Sequence, residues 1–337
     1  MAIIGAQHET ASDAAAVQAS RSTLSNFLTS PKSNTPPSFH EWASVTDNMG
    51  FYNISALAYW PSKAAYESWA DQSGFRAWWQ GLDCPEEESS NGWFIEVFLP
   101  TTDRFETLFN NDTAREGAAH MGRCMSEEVR EHGYWGSMRD RIPLAQTDGL
   151  AGAGTLLKAS SPPDPNSVVA TTTTTTTRNR VVVPGRKNLA VIRSGQDWLD
   201  TTPEERTLYL DTMHPVLIKG MDFLRDYGDE IGCYSCRFME IVDSKTARPD
   251  GIDRTFGLAY FDELASLERW CREHPTHLAI FGGFFKYAKK LDNHVTLRVF
   301  HEVMVLQPDQ QYFEYVGCHP GTGMLATVDR AGAKEEI

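Results

Sequence analysis

The chain repeats itself. Ala58-Tyr59-Trp60 is followed, ten residues after its tyrosine, by Trp69, and Ala259-Tyr260-Phe261 is followed at the same spacing by Trp270. Each stretch runs on through an apolar helical pattern into a strand-like segment, WFIEVFL at 93–99 and VFHEVMV at 299–305. Phe105-Glu106 and Phe313-Glu314 then follow as a further matching pair. The shared order is strand, helix, strand, with partners about 200 residues apart. A chain that spells the same unit twice has few architectures open to it. The expectation is an α+β protein in which two ferredoxin-like halves pack their sheets into a barrel.

Low complexity separates the halves. Residues 159–180 contain SSPPDPNS and then seven threonines, Thr171–Thr177, which reads as a surface loop. The Ser/Thr/Ala-rich residues 1–40 read as an N-terminal arm. The first half is then 41–158 and the second 181–337. GLAGAGT at 149–155 is glycine-rich, but no strand pattern leads into it, as a phosphate loop requires.

With 337 residues, 41% of them hydrophobic, the chain can bury a large core. A formal net charge of −14 argues against nucleic acid or an anionic membrane as partner. Six cysteines are too few for a disulfide scaffold. Residues 1–20 lack the pattern of a signal peptide, and no run reaches the length of a membrane span. A cytoplasmic protein is expected. Cys233-Tyr-Ser-Cys236 has no second CxxC to complete a zinc site, so two buried thiols are expected there.

The halves differ in histidine. Alternation along 297–305 puts Leu297, Val299, His301, Val303 and Val305 on one inward face, and the position matching His301 in the first half is Ile95. His274 and His277 flank Pro275 and lead into a Leu/Ile/Phe run, where the first half has Ser73-Gly74-Phe75-Arg76. Read as a helix entered near Pro275, the segment aligns His277, Ile280, Phe281 and Phe284 on one face. An imidazole beside a wide apolar wall suits a haem; a helix-capping or core histidine is the other reading. His301 is either chemically used or satisfied by a backbone neighbour.

Several blocks together resemble the aldoxime dehydratase family, haem enzymes that convert aldoximes to nitriles. They are FETL (105–108), EHGYWGSMRDR (131–141), IRSGQDW (192–198), MDFLRDYG (221–228), GCYS (232–235), HPTHLAIF (274–281), FHEV (300–303) and GCHPGTGML (317–325). With the repeat, the resemblance implies two ferredoxin-like repeats forming a dimeric α/β-barrel-like haem fold. It implies that His277 is the proximal ligand of haem b iron, that His301 is the distal acid and base, and that Ser194 holds the oxime hydroxyl. Arg141 and Glu106 match the polar pair supporting that histidine. The implied substrate is a small-molecule aldoxime, bound through its nitrogen to ferrous haem in a homodimer.

Taken singly, Arg141 and Glu106 also read as an ion pair, and Ser194 as a helix N-cap with Asp197 three residues on. Two other functional classes stay open: a haem peroxidase or chlorite-processing enzyme sharing such a barrel, and a non-catalytic haem carrier or sensor. The pairing of Ser194 with His301 argues against the first. A carrier has no need of the full distal set.

Overall fold

The computed structural model describes residues 1–82, 91–128, 134–153, 180–249 and 251–328. The first half runs β1 (Ala2–His8), α1 (Ala14–Leu28), β2 (Phe39–Thr46), β3 (Tyr52–Tyr59), α2 (Lys63–Gln72), α3 (Phe75–Gln80), β4 (Gly92–Phe98) and β5 (Phe105–Phe109). After β6 (Arg180–Val183) the second half runs β7 (Leu189–Asp197), α4 (Pro203–Leu208), α5 (His214–Asp226), β8 (Cys233–Val242), β9 (Arg254–Phe261), α6 (Leu264–Glu273), α7 (Pro275–Lys290), β10 (Arg298–Leu306) and β11 (Gln311–Val316). The strands form one antiparallel sheet of eleven in the order β5-β10-β7-β9-β8-β2-β3-β1-β4-β11-β6. Among the described residues its two edges are not hydrogen-bonded to each other, so the sheet is curled, not a closed barrel.

Within it the halves obey one plan. The fourth, first, third and second strands of each half lie side by side, as β4-β1-β3-β2 and as β10-β7-β9-β8. Each half then lends a strand to the other: β5 pairs with β10, and β11 with β4. Close backbone approach recurs at equivalent points. A side chain on Gly5 would run into the ring of Phe94 opposite, and one on Gly195 into the ring of Phe300. The Tyr-to-Trp spacing joins the end of the third strand to the helix behind it, where Trp69 and Trp270 are both buried.

Two expectations need correction. Residues 1–40 are not an arm: β1 is buried along its whole length between β3 and β4, and α1 packs beside it, capped by the Asp13 side chain on the Ala16 N–H. Composition misled because Ser and Thr crowd α1 and the following loop, while the strand itself, AIIGAQH, is apolar and short. The first half therefore begins at residue 2. Phe105-Glu106 is also not equivalent to Phe313-Glu314: Phe105 sits across from Met304, whereas Phe98, the counterpart of Met304, faces Gln311. The inward face expected of β10 holds, with His301, Val303 and Val305 all buried, and its opposite face, Phe300, Glu302 and Met304, is buried as well.

One face of the curled sheet encloses a core from both halves, including Phe94, Phe98, Leu189, Tyr260, Met304 and Phe313. On the other face α5 and α6 pack over the second half around Leu224, Leu267, Trp270, Val303 and Val305. Cys233 and Cys236 are free and buried, and burial pushes the Cys236 thiol up to about 12. Residues 159–179 of the threonine-rich stretch and 154–155 of the glycine-rich stretch lie outside the described residues. The remainder of GLAGAGT packs structurally, with Leu150 in the core and the Gly152 N–H donating to Glu263.

Candidate active site

Ser194 and His301 are directly opposite one another on the adjacent strands β7 and β10. Opposed residues in an antiparallel pair share a face, with Cβ atoms roughly 4.5–5.5 Å apart. On the far side of β10, Glu106 of β5 stands opposite Val303, which shares the face of His301. Three strands thus bring serine, histidine and glutamate onto the helix-covered side of the sheet. Ser194 lies in mid-strand, which overturns the helix-cap alternative for it.

Arg141 reaches the same carboxylate from a 3-10 turn, Met138–Arg141. Its Nε lies 3.1 Å from Glu106 Oε2, and a second guanidinium nitrogen 3.4 Å from Oε1. His301 Nε2 is 2.7 Å from Glu106 Oε1, at ion-pair distance but without the alignment of a hydrogen bond. His301 and Glu106 are only 4% and 5% exposed, so this charge is bound within the protein. Burial alone would raise the Glu106 carboxyl; His301 and Arg141 beside it outweigh that and hold it below its ordinary value.

The segment leading into this turn supplies residues that motif reading did not single out. Trp135 sets its ring edge-on to His301 at 5.3 Å, and Tyr134 meets Phe281 of α7 in the same way at 5.1 Å. Arg141 donates to both their carbonyls, at 3.3 Å to Tyr134 and 2.8 Å to Trp135. The Tyr134 hydroxyl donates to the Cys271 carbonyl at 2.8 Å. This short segment therefore ties α7 to the histidine on β10. Its only sequence signal was membership of the EHGYWGSMRDR block.

α7 begins as expected, with Pro275 in its first turn. His274 is the N-cap: its side chain accepts from the Thr276 N–H, and its ring stacks on Phe223 at 4.0 Å. His277, one turn into the helix, is not a cap. Its Nδ1 is sealed from solvent, and its ring meets Trp270 at 4.7 Å. Desolvation lowers the imidazole from 6.5 to about 4, although the Cys271 backbone opposes the shift, so the ring is neutral at physiological pH. Although α7 reads PTHLAIFGGFFKYAKK, only Tyr287 is fully buried; Leu278, Phe281 and Phe285 are 44%, 36% and 59% exposed. A neutral imidazole on an uncovered apolar helix is the donor and the wall that a haem requires.

The chain matches the haem-containing dehydratase family over residues 2–324 and belongs to it. It is 40% identical to an aliphatic aldoxime dehydratase of Pseudomonas chlororaphis over 96% of this chain and 86% of that one. It is 33% identical to a phenylacetaldoxime dehydratase of Bacillus sp. (strain OxB-1) over 82% of this chain and 74% of that one. Among solved structures, an aldoxime dehydratase in complex with butyraldoxime superimposes with a TM-score of 0.81 at 36% identity, covering 96% of this chain and 84% of that chain.

Proposed function

We propose that this protein dehydrates aldoximes, R–CH=N–OH, to nitriles and water with a haem held by His277. The observation that carries the reading is the convergence of Ser194, His301, Glu106 and Arg141 on the sheet face covered by the helix layer that contains His277. Haem b, when bound in its ferrous state, supplies electron density for cleavage of the N–O bond. Ser194 holds the oxime hydroxyl by a hydrogen bond and sets its direction relative to His301. The His301 imidazolium passes its proton to that hydroxyl oxygen, which leaves as water. The same ring, now neutral, takes the proton from the oxime carbon as the C≡N bond is completed. One proton is given and one recovered, so His301 ends as it began.

Glu106 fixes the position of the ring, and Arg141 helps keep the carboxylate ionised beside it. The sealed, aromatic surroundings of His301, with Trp135 across its ring, exclude water from the proton transfer. The finer expectations are proposals on the same footing: two ferredoxin-like repeats, supported by the strand order in each half, and a cytoplasmic homodimer, whose described cysteines are all free thiols. No helix among the described residues is long and apolar enough to cross a membrane.

The test is to load the purified protein with haem, confirm a Soret band, reduce it anaerobically, and assay nitrile from butyraldoxime and phenylacetaldoxime by gas chromatography. Nitrile from the ferrous protein, and almost none from the ferric, is expected. A haem-replete ferrous protein that leaves both aldoximes intact overturns the reading.

A further inference from the structure

Behind the Ser194–His301 pair, on the reverse face of the sheet, the next cross-strand pair is Arg193 and Glu302. Both are buried, at 1% and 0% exposure, and their side chains approach to 3.4 Å. Glu302 also accepts from the Tyr59 hydroxyl at 2.8 Å and from the Ala118 N–H at 2.6 Å. Arg193 also pairs with Glu41 and donates to the Tyr59 hydroxyl at 3.1 Å, with its guanidinium over the rings of Phe256 and Phe300. The segment carrying Ala118 comes within contact of the carboxylate because Gly117, at φ +49°, has no side chain to collide with it.

The first half has a counterpart built differently. Glu96 matches Glu302 and is likewise completely buried; it accepts from the hydroxyls of Tyr260 and Tyr315 and pairs with Arg237. But Arg237 comes from β8 in the opposite half, whereas the arginine on Glu302 comes from β7, the strand that carries Ser194. In the first half the position of Arg193 is taken by Ile3, and the Ser194–His301 pair is replaced by Ile4 opposite Ile95. A same-strand arginine is present only in the half where two polar side chains must meet across the ladder.

We propose that Arg193 and Glu302 are positioning residues for this reaction, their buried ion pair pinning β7 to β10 so that Ser194 stays opposite His301. The inference rests on the functional reading above. A one-residue slip between two strands turns every side chain on the moving strand to the other face. Slipping here would carry a buried charge into the apolar layer under the helices, while a smaller shear would part Arg193 from Glu302. The pair therefore resists the displacement that would misalign the proton donor with the oxime hydroxyl.

The experiment compares the haem-loaded variants Glu302→Gln, Arg193→Lys and Glu96→Gln, with Glu302→Gln also placed in a Ser194→Ala background. Turnover is expressed per bound haem, alongside KM, melting temperature and deuterium uptake by peptides covering β7 and β10. Glu302→Gln is expected to lower kcat about 10–100-fold with a smaller change in KM, as ångström-scale misplacement does. Faster exchange should appear in β7 and β10. Glu96→Gln should lower the melting temperature as well, but leave kcat per haem and exchange in β7 and β10 unchanged. In the Ser194→Ala background, Glu302→Gln should cost less than about threefold more, because residues that act through one contact are not additive.

Equal kcat per haem for Glu302→Gln and Glu96→Gln overturns the proposal, as does full multiplicativity with Ser194→Ala. Should Glu302→Gln give no folded holoenzyme, Arg193→Lys decides: it keeps the charge but loses the planar fork, and unchanged kcat counts against the pair. Absence of nitrile from the wild type is a failure of the functional reading instead. The exchange measurement then still decides whether the pair holds the two strands.

Discussion

Glu106 faces His301 at 2.7 Å and is gripped from its other side by Arg141, so one buried carboxylate serves an imidazole and a guanidinium contributed by distant parts of the chain. The arrangement makes Glu106 the link between the sheet and the 3-10 turn. It also sets the sign of an acid effect.

Because the folded carboxyl titrates below its ordinary value, its contribution to stability is fully present above that value and is lost as pH falls through the depressed one. Glu106→Gln should therefore be less stable than the wild type at neutral pH, with the gap closing in acid. Arg141 reaches Glu106 by charge-assisted hydrogen bonds, worth about 1.5–3 kcal/mol, so the gap at neutral pH should be of that order, and turnover per haem should fall as well because His301 loses its carboxylate neighbour. Urea melts at several pH values and steady-state assays of the one variant read both quantities. A stability gap that stays constant into acid would contradict the assignment.

Haem retention should separate the two histidines at the start of α7. His277→Ala is expected to lose most of the Soret absorbance. His274→Ala should keep it while melting at lower temperature, since an N-cap is worth about 1 kcal/mol. The reverse pattern in the two absorption spectra would exchange the roles.

Turnover is the sensitive readout for His301. His301→Ala should bind haem normally and still perturb the Soret band on adding aldoxime, while turnover drops about 10²–10⁴-fold, the usual range for lost general acid–base catalysis. Near-normal activity in a haem-replete sample would return His301 to a purely structural position in β10.

Ser194 sits in mid-strand and caps nothing, so Ser194→Ala should leave the melting temperature nearly unchanged. The hydrogen bond lost is worth roughly 0.5–1.5 kcal/mol net, and misdirection of the oxime relative to His301 adds to the cost in turnover. Unaltered turnover per haem would remove Ser194 from the site.

Local features were legible in the sequence. The apolar run VFHEVMV, matched by WFIEVFL in the other half, marked β10, the Pro275 entry marked α7, and the Tyr-to-Trp spacing marked the third strand and following helix of each half, because such short-range patterns are written in neighbouring residues. Motif resemblance named His277, His301, Ser194, Arg141 and Glu106 as types. Their meeting was not legible, since it depends on which strands lie side by side. β5 leaves its own half to pair with β10, and that exchange alone carries Glu106 to His301 across almost 200 residues of chain. β1 escaped notice because a seven-residue strand buried on both faces has no alternation to betray it. The ion pair of Arg193 with Glu302 was equally invisible: two charged residues in separate apolar strands look like solvent-facing positions until the sheet curls and the two halves enclose them.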